Sequence, residues 1–300
     1  MSAARRAALA GAGLTALYTG LIAGADGITK LVAGGYAAPQ MFAISGALVI
    51  ALSVLADRHP SQGKGLRTRR PGAMALRSAA TVVAAVAFFQ AFRLLPFTDV
   101  FLFIALMPIL AALMSGPILG EYVRPAAWVA LAAGVAGVVC LFPEGLHGVG
   151  SGHLWAGLAA VSGTFSMLMA RLIGRTEQNA LAQVFYPNLA LCLTMSAALP
   201  FVWRPMSLAD LGWIAAYAGL LFAARWVSVV ALRLLAAYAV TPLMNLQFIW
   251  MVAIGALAFG ELPTLSTVLG AVIVVGSGLY LVWDQIAPQE RLSPDLRTDP

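Results

Sequence analysis

Ten runs of about twenty apolar residues succeed one another along this 300-residue chain, leaving only short connections between them. A helix needs about 20 such residues to cross a hydrocarbon core. Backbone groups in that core must bond within the protein, which restricts spanning structures to helices and closed barrels. Punctuation by Gly, Pro and charge sets the runs at 9–31, 36–56, 72–95, 97–119, 126–143, 153–173, 180–203, 210–234, 238–259 and 264–284. The predicted fold class is an all-α polytopic membrane protein, with successive helices as antiparallel neighbours. Composition agrees: 61% of residues are hydrophobic and 10% charged, against about a quarter charged in a soluble domain. The first run follows Arg5-Arg6 as a signal peptide would, but its length and its Thr15, Tyr18, Thr19 and Asp26 make it an uncleaved helix.

The formal charge of +6 is not laid out for nucleic acid, because the basic residues gather between the apolar runs instead of forming a stripe. Lys and Arg in such segments set topology. With a cytoplasmic N-terminus, fourteen basic residues fall inside and three (Lys30, Arg93, Arg204) outside, while Arg225 lies within a helix. Both termini are therefore expected in the cytoplasm. Basic residues are nearly all Arg, and Ala and Gly abound, which fits a GC-rich bacterial source and an inner-membrane location. Cys140 and Cys192 lie far apart in apolar runs and define neither a disulfide framework nor a metal site. His59, His147 and His153 are expected as solvated loop residues.

The chain also matches itself. "AFRLLPFTDV" begins at Ala91 and "ALRLLAAYAV" at Ala231; at the same offset of 140, Leu106 falls on Leu246, Ile109 on Ile249, and Gly120-Glu121 on Gly260-Glu261. Nine of the 31 aligned positions from Ala91 to Glu121 are identical. The offset maps helices three to five onto eight to ten, so the repeated unit is five helices. An odd number inverts the second copy. Inverted repeats are typical of secondary transporters, whose halves expose a midplane site alternately to each side. The expected organisation is a first repeat at 1–145, a second at 146–286 and a cytoplasmic tail at 287–300, around a central cavity.

The stretch "TDVFLFIALMPILAALMSGPILGEYVRPAAWVALAAGVAGVVCLF" (98–142) resembles the drug/metabolite transporter superfamily and its EamA-like ten-helix exporters. The resemblance rests on a helix with a mid-span proline (Pro108), Gly120-Glu121 at its end, and a following helix bearing Gly134 and Gly137. The second copy repeats this with Gly260-Glu261, Gly270, Gly276 and Gly278. Phe248 stands where the family often has a second proline, and Ser45 where many members carry an arginine. The resemblance implies export of amino acids and other small metabolites, and among its branches the chain is most similar to aromatic amino-acid exporters.

Polar residues in a membrane helix face the bundle interior or a watery cavity, so polar stripes at helical spacing mark path-lining faces. The first helix offers Thr15, Tyr18, Thr19, Ile22, Asp26 and Lys30, the third Gln90 and Arg93, the sixth Ser162 and Ser166. The eighth offers Tyr217, Leu221, Arg225 and Ser228, and the ninth Tyr238, Thr241, Asn245 and Phe248. The fifth has no strongly polar side chain and should face lipid. Arg225 sits near mid-span, where a charge costs a few kcal/mol; it is either a carboxylate partner for substrate or a structural arginine bonded to carbonyls. Asp26 is either a proton or amine site, or the partner of Lys30 four residues on. Asp99 is either a coupling residue or a structural link to Arg93. Substrate-binding candidates are therefore Tyr18, Gln90, Arg225, Tyr238, Asn245 and Phe248, with Asp26 and Asp99 as charge or coupling candidates. Glu121 and Glu261 read as structural helix ends.

Catalytic and nucleotide motifs are missing: no His-Glu-x-x-His, no Gly-Lys-Ser/Thr phosphate loop, no Gly-x-Ser-x-Gly elbow. Neither cofactor nor metal is expected, and the chain reads as a non-enzyme. The expected partners are a small-molecule substrate and the lipid bilayer, with the chain a monomer or a homodimer. The expected function is secondary transport, most of all amino-acid export, by alternating access. Efflux of hydrophobic drugs or nucleotide-linked sugars is the alternative within transport, and a membrane-embedded lipid enzyme the alternative outside it.

Overall fold

Punctuation residues become helix ends. A computed structural model describes residues 3–58, 65–120, 125–139, 149–177, 179–234 and 246–286. Those residues form ten helices: α1 (Ala3–Ala33), α2 (Ala38–Asp57), α3 (Pro71–Leu94), α4 (Phe97–Leu119), α5 (Pro125–Val139), α6 (Ser151–Gly174), α7 (Ala180–Val202), α8 (Leu208–Leu234), α9 (Gln247–Phe259) and α10 (Leu265–Ile286). Each corresponds to one expected run. The expected extensions of α5 to 143 and of α9 back to 238 lie outside the described residues. Among the described residues, by length and composition five helices (α2, α3, α6, α7, α8) can cross a membrane, and six if the bent α4 is one span.

Local chemistry sets the ends. Proline occupies the first turn of α2 and of α3, where its fixed φ suits helix entry and its missing N–H costs nothing. Asn179 caps α7, its Oδ1 accepting from the Ala182 N–H at 3.1 Å. The duplicated Gly-Glu now has a backbone reason. Gly120 closes α4 at φ 68° and Gly260 closes α9 at φ 66°, the left-handed cap that glycine adopts without a Cβ clash. His153, expected in a loop, is instead in the first turn of α6, where its Nδ1 accepts from the Gly150 N–H at 3.1 Å.

The bend in α4 is 46° and separates Phe97–Ala111 from Leu113–Leu119. It falls one turn before Pro117 rather than at Pro108. A proline ring pushes against the carbonyl four residues earlier, which here belongs to Leu113.

Helix pairs pack in a definite pattern. α1 lies on α8, α9 and α3; α6 lies on α3 and α4; α2 on α7 and α8; α3 on α7; α4 on α5, α9 and α10; and α5 on α10. Small residues make the approaches close. A Cβ at Gly46 of α2 would lie 3.1 Å from the Asn188 carbonyl oxygen of α7, and the Cys192 Sγ–H reaches the Ala43 carbonyl at 3.4 Å. Gly20, Gly24 and Gly27 of α1 meet Trp250, Leu220 and Ile254, so the Gly20–Gly24 pair serves packing within the chain.

The buried core is aromatic. Phe92, Phe97, Phe101 and Leu102 join Ala156 and Ala160 of α6 with Met251 of α9. A second cluster joins Ile28, Met41, Phe42, Phe89, Leu191 and Ile214 across α1, α2, α3, α7 and α8. Outward faces are apolar instead of charged: Trp128, Val129 and Val139 of α5 and Leu265 and Val272 of α10 are more than half exposed. So large an apolar exterior is matched by lipid, not water.

Candidate substrate path

Polar side chains enter the interior from most of the described helices, and those of α1, α3, α8 and α9 include the candidate path residues. Rotation of α1 by helical spacing puts Tyr18 and Asp26 on the side that meets α8 and α9. Asp26 Oδ2 accepts from the Gln247 Nε2–H at 3.0 Å, and Gln247 is 4% exposed. Asp26 therefore bonds across to α9 rather than along its own helix to Lys30. Lys30 instead forms a salt bridge to Glu261 Oε1 at 2.8 Å and donates to the Leu95 carbonyl at 2.9 Å. Glu261 Oε2 accepts from the Phe97 N–H at 2.8 Å. One carboxylate thus ties α1, the α3–α4 turn and the α9 end together, as its structural reading requires.

The expected Arg93–Asp99 link is replaced. Asp99 Oδ1 accepts from the Thr267 hydroxyl of α10 at 2.9 Å, while Arg93 is exposed. Two further ties hold this end of the molecule. Tyr36 donates to Asp210 Oδ2 at 2.7 Å, which holds its phenol above the ordinary tyrosine pKa, and Gln40 donates to the Arg204 carbonyl at 2.7 Å.

Arg225 lies on α8 two turns after Tyr217. Tyr18 of α1 and Tyr217 are each within electrostatic reach of both Arg225 and Asp26. A cation on α8 and a carboxylate on α1 therefore share two phenols as neighbours. Phe248, a predicted contact, has its ring 4.7 Å from that of Phe101, closing the α4–α9 side. Gln90 is half-buried on α3. Tyr238 and Asn245 lie outside the described residues, as do Glu121, Thr241, His59, His147 and Cys140. Trp226 packs on Phe222 at 6.2 Å between ring centroids.

The opposite end is tied by different chemistry. Glu177 accepts from the Thr68 hydroxyl and from the Arg69 N–H, each at 2.6 Å. Arg175 donates to the Leu119 carbonyl at 2.9 Å. Arg77 of α3 donates to Gln183 Oε1 of α7 at 2.6 Å. Among the described residues no group of His, Cys, Asp or Glu side chains is arranged to hold a metal ion.

Residues 11–142 match the EamA-like transporter family. That stretch runs from α1 through α5. The matched family is one of transporters, and the match covers less than half of the chain. A solved crystal structure, described simply as that of a protein, is similar over 95% of this chain and 99% of its own, with a TM-score of 0.59 and 20% identity. At that identity the likeness speaks for the fold, and it extends past the EamA-like region to α10. No curated protein matches the sequence.

Two residues escaped the sequence reading. Gln247 stands 200° round a helix from Asn245, off the stripe of Thr241, Asn245 and Phe248, so spacing put it on the wrong face. The buried face of α9 runs through Gln247, Met251 and Gly255, a four-residue period visible in the sequence without the polar cue. Arg77 is one of the fourteen basic residues on the inner side, seven after Arg70, and its burial is not visible in the sequence.

Proposed function

We propose that this chain is a secondary transporter built as two inverted five-helix repeats, which passes a small carboxylate-bearing metabolite, an amino acid above all, between α1, α3, α8 and α9. The observation that carries the substrate reading is the placement of Arg225 and Asp26 around shared Tyr18 and Tyr217. A zwitterion needs a cation for its carboxylate and an anion for its ammonium, and in a low-dielectric interior both must be supplied by side chains. Aromatic walls favour an aromatic side chain on the cargo.

Packing supports the repeat. Exchanging helix n for helix n+5 turns the α1–α8 contact into α6–α3, α1–α9 into α6–α4, and α2–α8 into α7–α3, while α2–α7, α4–α9 and α5–α10 map onto themselves. Both α4 and α9 end on a left-handed glycine. Glu177 stands 141 residues after Tyr36, and each holds the segment that leads into or begins α3 or α8. Two ends closed by equivalent ties of unlike chemistry suit alternating access.

Purified protein in liposomes loaded with radiolabelled phenylalanine tests this. Protein-dependent efflux, measured with and without a pH gradient, is the expected result, and the gradient arm reads proton coupling. Liposomes whose efflux equals that of protein-free controls would remove the aromatic amino-acid assignment.

A further inference from the structure

Two inward-placed cations, Lys30 on α1 and Arg77 on α3, are treated differently. Lys30 receives a carboxylate, Glu261, at 2.8 Å. Arg77, 8% exposed, receives only a neutral amide oxygen, Gln183 Oε1 at 2.6 Å, and its Nε has no hydrogen-bond partner among the described residues. A guanidinium taken out of water is costly unless it is paired and its donors are used, and five N–H donors in a planar fork match a carboxylate edge. The chain thus pairs the cation at the end of α1 with its own anion and leaves the one on α3 with an exchangeable acceptor.

Arg77 is also on the way to somewhere. It lies two turns into α3, above the end tied by Glu177, and within the electrostatic reach of Arg225. The Thr81 hydroxyl donates to the Arg77 carbonyl at 2.9 Å and lies 2.7 Å from Ser166 Oγ of α6, so a polar rung continues one turn further along α3. The residue 140 positions later is Tyr217, itself beside Arg225 and Asp26.

We propose that Arg77 is a second oxyanion-docking residue of the path: the Gln183 amide holds the place of a substrate carboxylate, which displaces it, engages the Arg77 fork and passes on to Arg225. The cargo class is then an organic carboxylate, and a compound with the same ring but no anionic group is rejected. This rests on the transport reading for its setting but not on phenylalanine as cargo.

The test uses purified full-length protein in detergent, with benzoate as probe and benzamide as its uncharged counterpart, read as the ligand-dependent rise in melting temperature. Benzoate binding to the folded state raises that temperature with concentration; benzamide is expected to leave it unchanged. In Arg77→Gln the benzoate concentration for half the rise is expected to increase by about tenfold or more. The ligand-free melting temperature, read separately, reports any structural loss. If Arg77→Gln does not fold, Arg77→Lys keeps a cation but not the fork, and a weaker benzoate response is still expected. An unchanged benzoate response in the variant, or none in the wild type, overturns the proposal. Phenylalanine efflux alongside an unchanged variant response removes Arg77 docking and leaves the transport reading. Absent phenylalanine efflux alongside a lost variant response keeps the docking residue and removes only that cargo.

Discussion

Arg225→Ala lowers phenylalanine efflux from proteoliposomes by about thirtyfold or more. Truncating one partner of a buried, hydrogen-bonded charge pair costs about 2–5 kcal/mol, and each 1.36 kcal/mol is a factor of about ten. Arg225 is placed for such a pair, on α8 with Tyr217 two turns before it and Tyr18 opposite on α1. Its structural reading makes a different forecast: an arginine that only braces carbonyls would lose the ligand-free melting temperature along with flux. The carboxylate reading expects the flux to fall while a monodisperse protein melts within a few degrees of wild type. A variant that transports at wild-type rate removes Arg225 from the site.

The second large effect is one of packing. A Cβ on Gly270 of α10 would sit 2.5 Å from the Gly137 carbonyl oxygen of α5 and 3.3 Å from Leu102 Cδ1. The nearest atom is backbone, so no rotamer change relieves it and the two helices must separate. Gly270→Val is expected to destabilise by about 1–3 kcal/mol, the usual range for overpacking, and to lower the detergent melting temperature. Gly276 on the same helix has open space around its Cβ position, so Gly276→Ala keeps or slightly raises stability by helix propensity. Equal melting for both variants would mean that the α5–α10 approach is looser than described.

Helix limits were legible because they are local. The run predicted at 97–119 is α4 at Phe97–Leu119, and the run at 180–203 is α7 at Ala180–Val202; proline, glycine and charge mark such ends in the sequence itself. Partners were not legible. Asp26 and Lys30 have the spacing of a helical pair, yet each bonds more than 200 residues away, to Gln247 and Glu261. Spacing fixes which residues share a face, but not which helix that face meets. The duplicated Gly-Glu was visible as a motif, while its cause, a left-handed cap on α4 and α9, needed the backbone angles. Arg77 shows the same limit from the other side, since its depth depends on how α3 sits against α7.

Alternating access is the centre of the account, and accessibility from both sides tests it most directly. Ile22 lies between Tyr18 and Asp26 on α1, so Ile22→Cys, in a chain with Cys140 and Cys192 replaced by serine, reports on the path itself. The expected result is reaction with a membrane-impermeant maleimide in both right-side-out and inside-out vesicles, slowed in each by phenylalanine. Reaction from one side alone, unaffected by phenylalanine in either orientation, would contradict a path that opens alternately around α1 and α8.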